Sequence, residues 1–245
     1  MPEQLLFTKF LNHLLAGPVT ALLNAIGLPS SHPQAPISDF VAMEFLVFLL
    51  LLAFFVIVRF SLSVEQPGAA QHFSEFLESF VSGQSEEIIG HHSEGFTPFL
   101  VTLGLFILVG NLIGLIPGLE APTANVAVPL GCALATWFYY HIHGLRKHGP
   151  LGYARQFLGP LGWVGAVLML PLEIISHLAR LLSLTVRLWA NMFGGDLITM
   201  VFLSMVPILV PVLFLGLHIL VALLQAYIFV LLATVYLQGA VAEEH

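Results

Sequence analysis

The sequence predicts an all-α integral membrane protein with about five membrane-embedded helices, one surface amphipathic helix, and a last pair of helices that are long and strongly tilted. Three observations carry that expectation. Hydrophobic residues make up 58% of the 245 residues and charged residues only 9%, against roughly 25% charged in an ordinary soluble domain, and mean hydropathy is +0.95. Apolar runs of about 20 residues, enough to cross ~30 Å of hydrocarbon, recur along the chain. From Leu161 to Gln238 apolar residues dominate with no loop-like polar segment at all.

Taken in order, residues 1–39 form an extracytoplasmic arm punctuated by Pro18, Gly27, Pro29, Pro33 and Pro36. Its first residues, Met1-Pro2-Glu3, lack the basic start of a cleavable signal peptide, so the N-terminus reads as retained. Phe40 to Val58 is the first span and stops at Arg59. Residues 59–95 form a cytoplasmic-side amphipathic segment. There Phe73, Phe76, Leu77, Phe80 and Val81 repeat at helical spacing opposite Glu75 and Glu78. A hairpin of two spans covers 96–141: Phe96 to Ile116, ending at Pro117-Gly118, then Ala124 to Tyr140, ending in the polar run His141 to His148. A cytoplasmic loop over 142–160 leads into the long hairpin 161–245, whose turn falls near Ser204 to Pro211, where Pro207 and Pro211 punctuate. Each of its arms reads as about 30 to 38 residues, ~45 to 57 Å of helix, so it must tilt steeply or break; a break at Gly194-Gly195 is the alternative. No internal repeat is visible.

Orientation follows from the seven basic residues. Arg59 follows span one, and Arg146, Lys147 and Arg155 follow span three, so those loops face the cytoplasm, the N-terminus lies outside, and the C-terminus inside. A net charge of −7, partly from Glu243 and Glu244, argues against a nucleic-acid partner. Cys132 has no cysteine to pair with. His91-His92 and His141-x-His143 are weak metal candidates without a carboxylate spacing or an HExxH to support them, so no metal site is expected. Neither GxxxxGK[ST] nor GxSxG occurs, which removes a P-loop and a hydrolase nucleophile elbow.

Chemistry concentrates in the final hairpin. Glu173, His177, Arg180, Arg187 and Asn191 fall within roughly 80° of one helix face, flanked by Ser176 and Ser183. A guanidinium keeps its charge in a protein, and placing one at mid-membrane costs from ~2.5 to more than ~10 kcal/mol depending on the reference. Two readings stay open: Arg180 and Arg187 pair with Glu173 and Asp196 to lock helices together, or the stripe faces a partner or a water path. In the last helix His218 and Gln225 lie seven residues apart and nearly in line, with Tyr236 close to that line. An imidazole in a membrane with Asp196 on the preceding helix is the equipment of a proton relay. A stand-alone transporter would need a repeat, and an intramembrane enzyme a nucleophile-base or metal set; neither is present in the spans.

The run Ser183-Leu-Thr-Val-Arg187-Leu-Trp-Ala-Asn191-Met-Phe-Gly-Gly-Asp196-Leu-Ile198 resembles the signature of subunit a of F-type rotary ATP synthases. So do Gly110-Asn111-Leu-Ile-Gly-Leu-Ile-Pro117, Pro122-Thr123-Ala124-Asn125, and the last helix from Leu217-His218 to Leu224-Gln225-Ala226-Tyr227. The resemblance runs from about Phe96 to the end, with the first third alike only in layout. It implies that Arg187 is the essential arginine facing the ring of c subunits and meeting each ring carboxylate in turn. It further implies an outer half-channel of Asp196 and His218 with Asn111 and Asn125 as lining. Glu173, Ser176 and His177 would form an inner one, and Asn191 and Gln225 would orient the arginine. Ala127 and Pro129 depart from the family's polar pattern after Asn125. Implied partners are the c ring, the b-subunit peripheral stalk, the rest of the synthase and the bilayer, most simply a bacterial cytoplasmic (inner) membrane. No cofactor is implied, and the chain by itself is not an enzyme. His218 favours protons as the coupled ion.

Overall fold

The structure, a computed structural model, describes residues 4–27, 35–63, 66–90, 93–116, 118–158, 162–205 and 209–242, with backbone alone at 154–158, 162–168, 203–205 and 209–211. Met1 to Glu3, Pro29, Pro33, His91-His92, Pro117, Pro207 and Glu243-Glu244 therefore lie outside the described residues. Among those described, all regular structure is helical. Seven α-helices run α1 Leu6–Ala25, α2 Asp39–Ser61, α3 Ala69–Ile89, α4 Thr97–Ile113, α5 Ala127–Leu158, α6 Gly162–Met205 and α7 Leu209–Val241, with 3-10 turns at Ser93–Gly95 and Pro122–Ala124. Four of them, α1, α2, and the Met169–Phe202 and Val212–Val241 stretches of α6 and α7, are apolar and long enough to cross a membrane, and α4 is a shorter apolar helix. The membrane-embedded all-α class is as the sequence predicts.

The expected arm contains a 20-residue helix, α1. By length and composition alone it qualifies as a span, yet its first half is tied to the start of α2. The backbone N–H of Leu5 donates to Asp39 Oδ1 at 3.1 Å, and the buried amide of Asn12 exchanges two 3.0 Å hydrogen bonds with the backbone of Ile37. Those ties hold the first half of α1 at the level where α2 begins. Its open apolar residues, Leu6, Phe10, Leu14, Leu22 and Ile26, suit a helix lying against the bilayer at the level where α2 begins.

As its pattern predicts, α3 is amphipathic. Val81 is buried, Phe73 meets Phe54 of α2 edge-on, and Gln84 donates to the Tyr227 hydroxyl of α7 at 2.8 Å. Gln71 holds the turn from α2 by accepting from the Ser63 N–H at 3.0 Å.

The core lies where α4, α5, α6 and α7 meet. It is built from Leu100, Leu103 and Ile107 of α4, Leu184, Leu188 and Met192 of α6, and Ala226, Phe229, Ala233 and Leu237 of α7. Leu184, Leu188 and Met192 recur every four residues, one stripe of α6. Ala222, Ala226, Ala233 and Ala240 give α7 a small-residue face that lets backbones approach, as membrane helices require where no hydrophobic effect drives them together. Gly104 serves the same end, since a Cβ there would meet Val230 at 2.8 Å.

Two expectations about helix ends change. The connection 142–160, expected as a loop, is helical as far as Leu158, with a bend at Gly149 (φ 71°) and Pro150. The polar run His141 to His148 left span three at its hydrophobic limit but carries no helix breaker, so the helix continues until glycine and proline bend it. Helix α6 is continuous through Gly194-Gly195 and has 44 residues, longer than expected. Its 34-residue apolar part is ~51 Å long and fits a ~30 Å core only when tilted by roughly 50–55°.

Candidate functional site

The polar stripe of α6 runs beside the buried Leu184–Leu188–Met192 stripe. Residues on the near edge of the polar stripe are therefore covered by α5 and α7, and residues on its far edge stay open. His177, on the near edge, is buried. Arg187 and Ser183 lie on the far edge, where the Arg187 Nη2 donates to Ser183 Oγ at 3.2 Å. Among the described residues no carboxylate comes within ion-pair distance of Arg187. The helix-locking alternative is thus not what the structure adopts. Glu173 is 3.4 Å from His177 Nε2, Asp196 Oδ1 is 3.8 Å from His218 Nδ1, and Arg180 lies over the Tyr236 ring at 5.2 Å.

Toward the later end of α6, Asp196 turns off the stripe and faces α7. The buried His218 reaches it because position 195 is glycine: a Cβ on Gly195 would sit 2.9 Å from His218 Nδ1 and 3.0 Å from Cε1. Gly195 therefore serves a close approach rather than the helix break considered for it. His218 Nε2 is buried with no hydrogen-bond partner among the described residues. Beside it is a cavity of about 270 Å³ lined by Ala190, Asn191, Gly194, Thr199, Leu217 and His218. Its size admits several waters, and its polar groups run from His218 to Asn191, one helical turn from Arg187. Glu120, in the loop before the Pro122–Ala124 turn, stands within electrostatic reach of Asp196. The sequence reading missed Glu120; its only signal was an acid in an otherwise apolar loop.

Asn111 is fully buried on α4 and donates to the Ala222 carbonyl of α7 at 3.3 Å, while its Oδ1 has no partner among the described residues. Asn125 accepts from the Ala127 N–H at 3.0 Å, capping α5. Gln225 is buried on α7 and Asn191 is exposed at the cavity; Arg187 donates instead to Ser183.

At the earlier end of α6, where Ser176 is half-buried, Glu173 and His177 meet Tyr140 and Tyr153, which the sequence reading did not single out, and His141, which it weighed only as a metal candidate. The Tyr140 hydroxyl, on a side chain only 1% exposed, is 2.8 Å from His177 Nδ1. His141 lies against the His177 ring at 4.7 Å, and its Nδ1 is 2.6 Å from the Tyr153 hydroxyl. The bend at Gly149 and Pro150 folds Tyr153 back over Gly144, where a Cβ would come within 2.5 Å of the Tyr153 ring. His143 lies past the apolar span, where burial first and then Arg146 hold its imidazole below the usual value. His141 and His143 do not converge on a metal: His143 packs on Phe96 and Tyr139, and no group of three or more potential ligands gathers among the described residues.

Comparison with known proteins adds the following. The family model described as ATP synthase A chain matches residues 41–238. The chain is 58% identical to the ATP synthase subunit a of Koribacter versatilis (strain Ellin345) over the whole length of both. It is 46% identical to that of Solibacter usitatus (strain Ellin6076), over 96% of this chain and 99% of the relative. With the protein of the same name from Geotalea uraniireducens (strain Rf4) identity is 39%, over 85% and 90%. The likeness thus reaches well before Phe96, where the motifs alone placed its start.

Proposed function

The chain belongs to the ATP synthase A chain family, and from that premise we propose that it is the ion-translocating stator of the membrane sector, with two offset half-channels that meet at Arg187. The observation that carries this reading is the division of partners along α6. Each acid of α6 lies beside a histidine, Glu173 by His177 and Asp196 by His218, and among the described residues the Arg187 guanidinium is met by Ser183 and by no carboxylate. An unpaired guanidinium in a span is costly unless an acid outside the chain meets it.

A c-ring carboxylate arriving opposite Arg187 is that acid. At ~4 Å and an effective dielectric of about 20, the attraction is ~4 kcal/mol, equivalent to about three pH units of acid strengthening. The carboxyl gives up its proton there and must be reloaded before it turns into lipid. Glu173 and Asp196 stand 14 and 9 residues from Arg187, ~21 and ~14 Å along the helix. Neither can pass a proton directly to the other, and the fixed charge between them repels any that would try. Entry on the Asp196–His218–Asn191 side, with Asn111 and Asn125 as further lining, and exit on the Glu173–Ser176–His177 side then make net flow require rotation. Ser183 accepts from the arginine and holds it, and the orienting role for Asn191 and Gln225 would begin only when a ring carboxylate draws the guanidinium away. The peripheral b stalk holds the subunit against the ring, in a bacterial cytoplasmic membrane with the N-terminus outside and the C-terminus inside.

The test is Arg187→Gln in the assembled complex, followed by ATP-driven acidification of vesicles. Coupled pumping is lost while assembly survives; pumping at the wild-type rate overturns the proposal.

A further inference from the structure

In the apolar cavity between α3, α4 and α7 the polar side chains Gln84 and Tyr227 bond each other. On α5, by contrast, polar side chains face the earlier end of α6. Tyr140 is almost completely buried, and its hydroxyl is directed at the imidazole that meets Glu173.

We propose that Tyr140 is a positioning residue for the inner half-channel, holding His177 in the tautomer that carries its proton on Nε2, toward Glu173. This rests on the reading of Glu173 and His177 as the inner path. The two distances select the tautomer. With Nδ1 protonated and Nε2 bare, the Nε2 lone pair would confront the Glu173 carboxylate at 3.4 Å, lone pair against lone pair. With Nε2 protonated, its N–H turns positive hydrogen toward the Glu173 carboxylate at 3.4 Å, and the bare Nδ1 accepts from the Tyr140 O–H at 2.8 Å.

The groups that face this imidazole are Tyr140 and His141 from α5 and Glu173 and Arg180 from α6, with Tyr236 of α7 beneath Arg180 and Tyr153 behind His141. Among the described hydrogen bonds, the one from Tyr140 distinguishes the two ring nitrogens at Nδ1. Its ring also stacks on His177, with centroids 5.7 Å apart at 23°, so Tyr140→Phe removes the hydroxyl and keeps the packing.

The experiment uses the assembled complex in vesicles. In Tyr140→Phe, passive proton conductance falls about three- to tenfold, the span expected for one buried neutral hydrogen bond, and its pH profile changes shape while assembly is unchanged. In a His177→Gln background the same substitution has no further effect, because there is no tautomer left to set. Nitrogen-15 spectra of histidine-labelled wild-type complex, with His177 assigned by its loss in His177→Gln, show Nε2–H. Wild-type conductance and pH profile in Tyr140→Phe, a full additive loss in the double variant, or Nδ1–H in the wild type would each overturn the assignment, and the spectrum decides even if the variant fails to assemble. An Arg187→Gln complex that still pumps sinks the stator reading instead, so the two failures are distinguishable.

Discussion

Adding one methyl group at position 195 should slow the outer path, whereas adding one at 194 should not. The Gly195 Cβ would lie 2.9 Å from His218 Nδ1 and 3.0 Å from Cε1, where ordinary carbon–nitrogen contacts begin near ~3.5 Å, so the imidazole must retreat by roughly half an ångström. The ring is buried, and its Nδ1 is already 3.8 Å from Asp196 Oδ1, longer than a strong hydrogen bond. A further shift opens that gap beyond 4 Å. Overpacking of this kind costs about 1–3 kcal/mol, and a misplacement approaching 1 Å in a proton-transfer pair can cost up to ~100-fold in rate. We expect Gly195→Ala to lower passive proton conductance and ATP-driven acidification by about three- to thirtyfold with assembly intact. At Gly194 an added Cβ meets nothing within 4 Å in this chain. Gly194→Ala therefore keeps the helix-propensity gain of about 1 kcal/mol. The assay is proton flux in vesicles containing equal amounts of complex. Wild-type flux in Gly195→Ala, or equal loss in both glycine variants, would refute the argument that glycine seats the histidine.

Two further outcomes follow from contacts away from the central arginine. Asn12→Ala removes both bonds to the Ile37 backbone and leaves that buried N–H and C=O unpaired. It should cost about 2–4 kcal/mol, read as earlier thermal unfolding in detergent and faster proteolysis between α1 and α2, while proton flux changes little. Acid should loosen the later part of α5. Burial and Arg146 hold His143 below its ordinary value in the folded chain, against about 6.5 when unfolded. Between the two values the unfolded state binds more protons, so stability is full above about 6.5 and declines as pH falls below it. The unfolding midpoint of wild type should therefore drop more than that of His143→Phe between pH 7 and 4.5; equal drops would show that His143 is not the group responsible.

Membrane residence, the approximate number of spans, and the stripe on α6 were legible in the sequence because each is a local property of one helix. Hydropathy over about 20 residues measures transfer into lipid, and a period of 3.6 places Glu173, His177, Arg180, Arg187 and Asn191 on one face whatever that helix packs against. Arg180 and Arg187 drew notice for the same reason, since an arginine amid leucine and valine needs a partner wherever it points, and the family resemblance alone singled out Arg187. What those side chains meet depends on contacts between helices distant in sequence, and no local pattern encodes these. The pairing of Arg180 with Tyr236 rather than an acid, the seating of His218 on Gly195, the approach of Glu120 to Asp196, and the Tyr140–His177 bond all belong to that class. The helical course of 142–158 was missed because polarity was taken as the end of a helix, when polarity ends only a span. Sequence thus determined that the chain enters lipid and which face of α6 carries its charged groups. The tertiary structure decided which edge of the polar stripe is covered by α5 and α7, because the depth of a side chain in that seam is a property of three packed helices together.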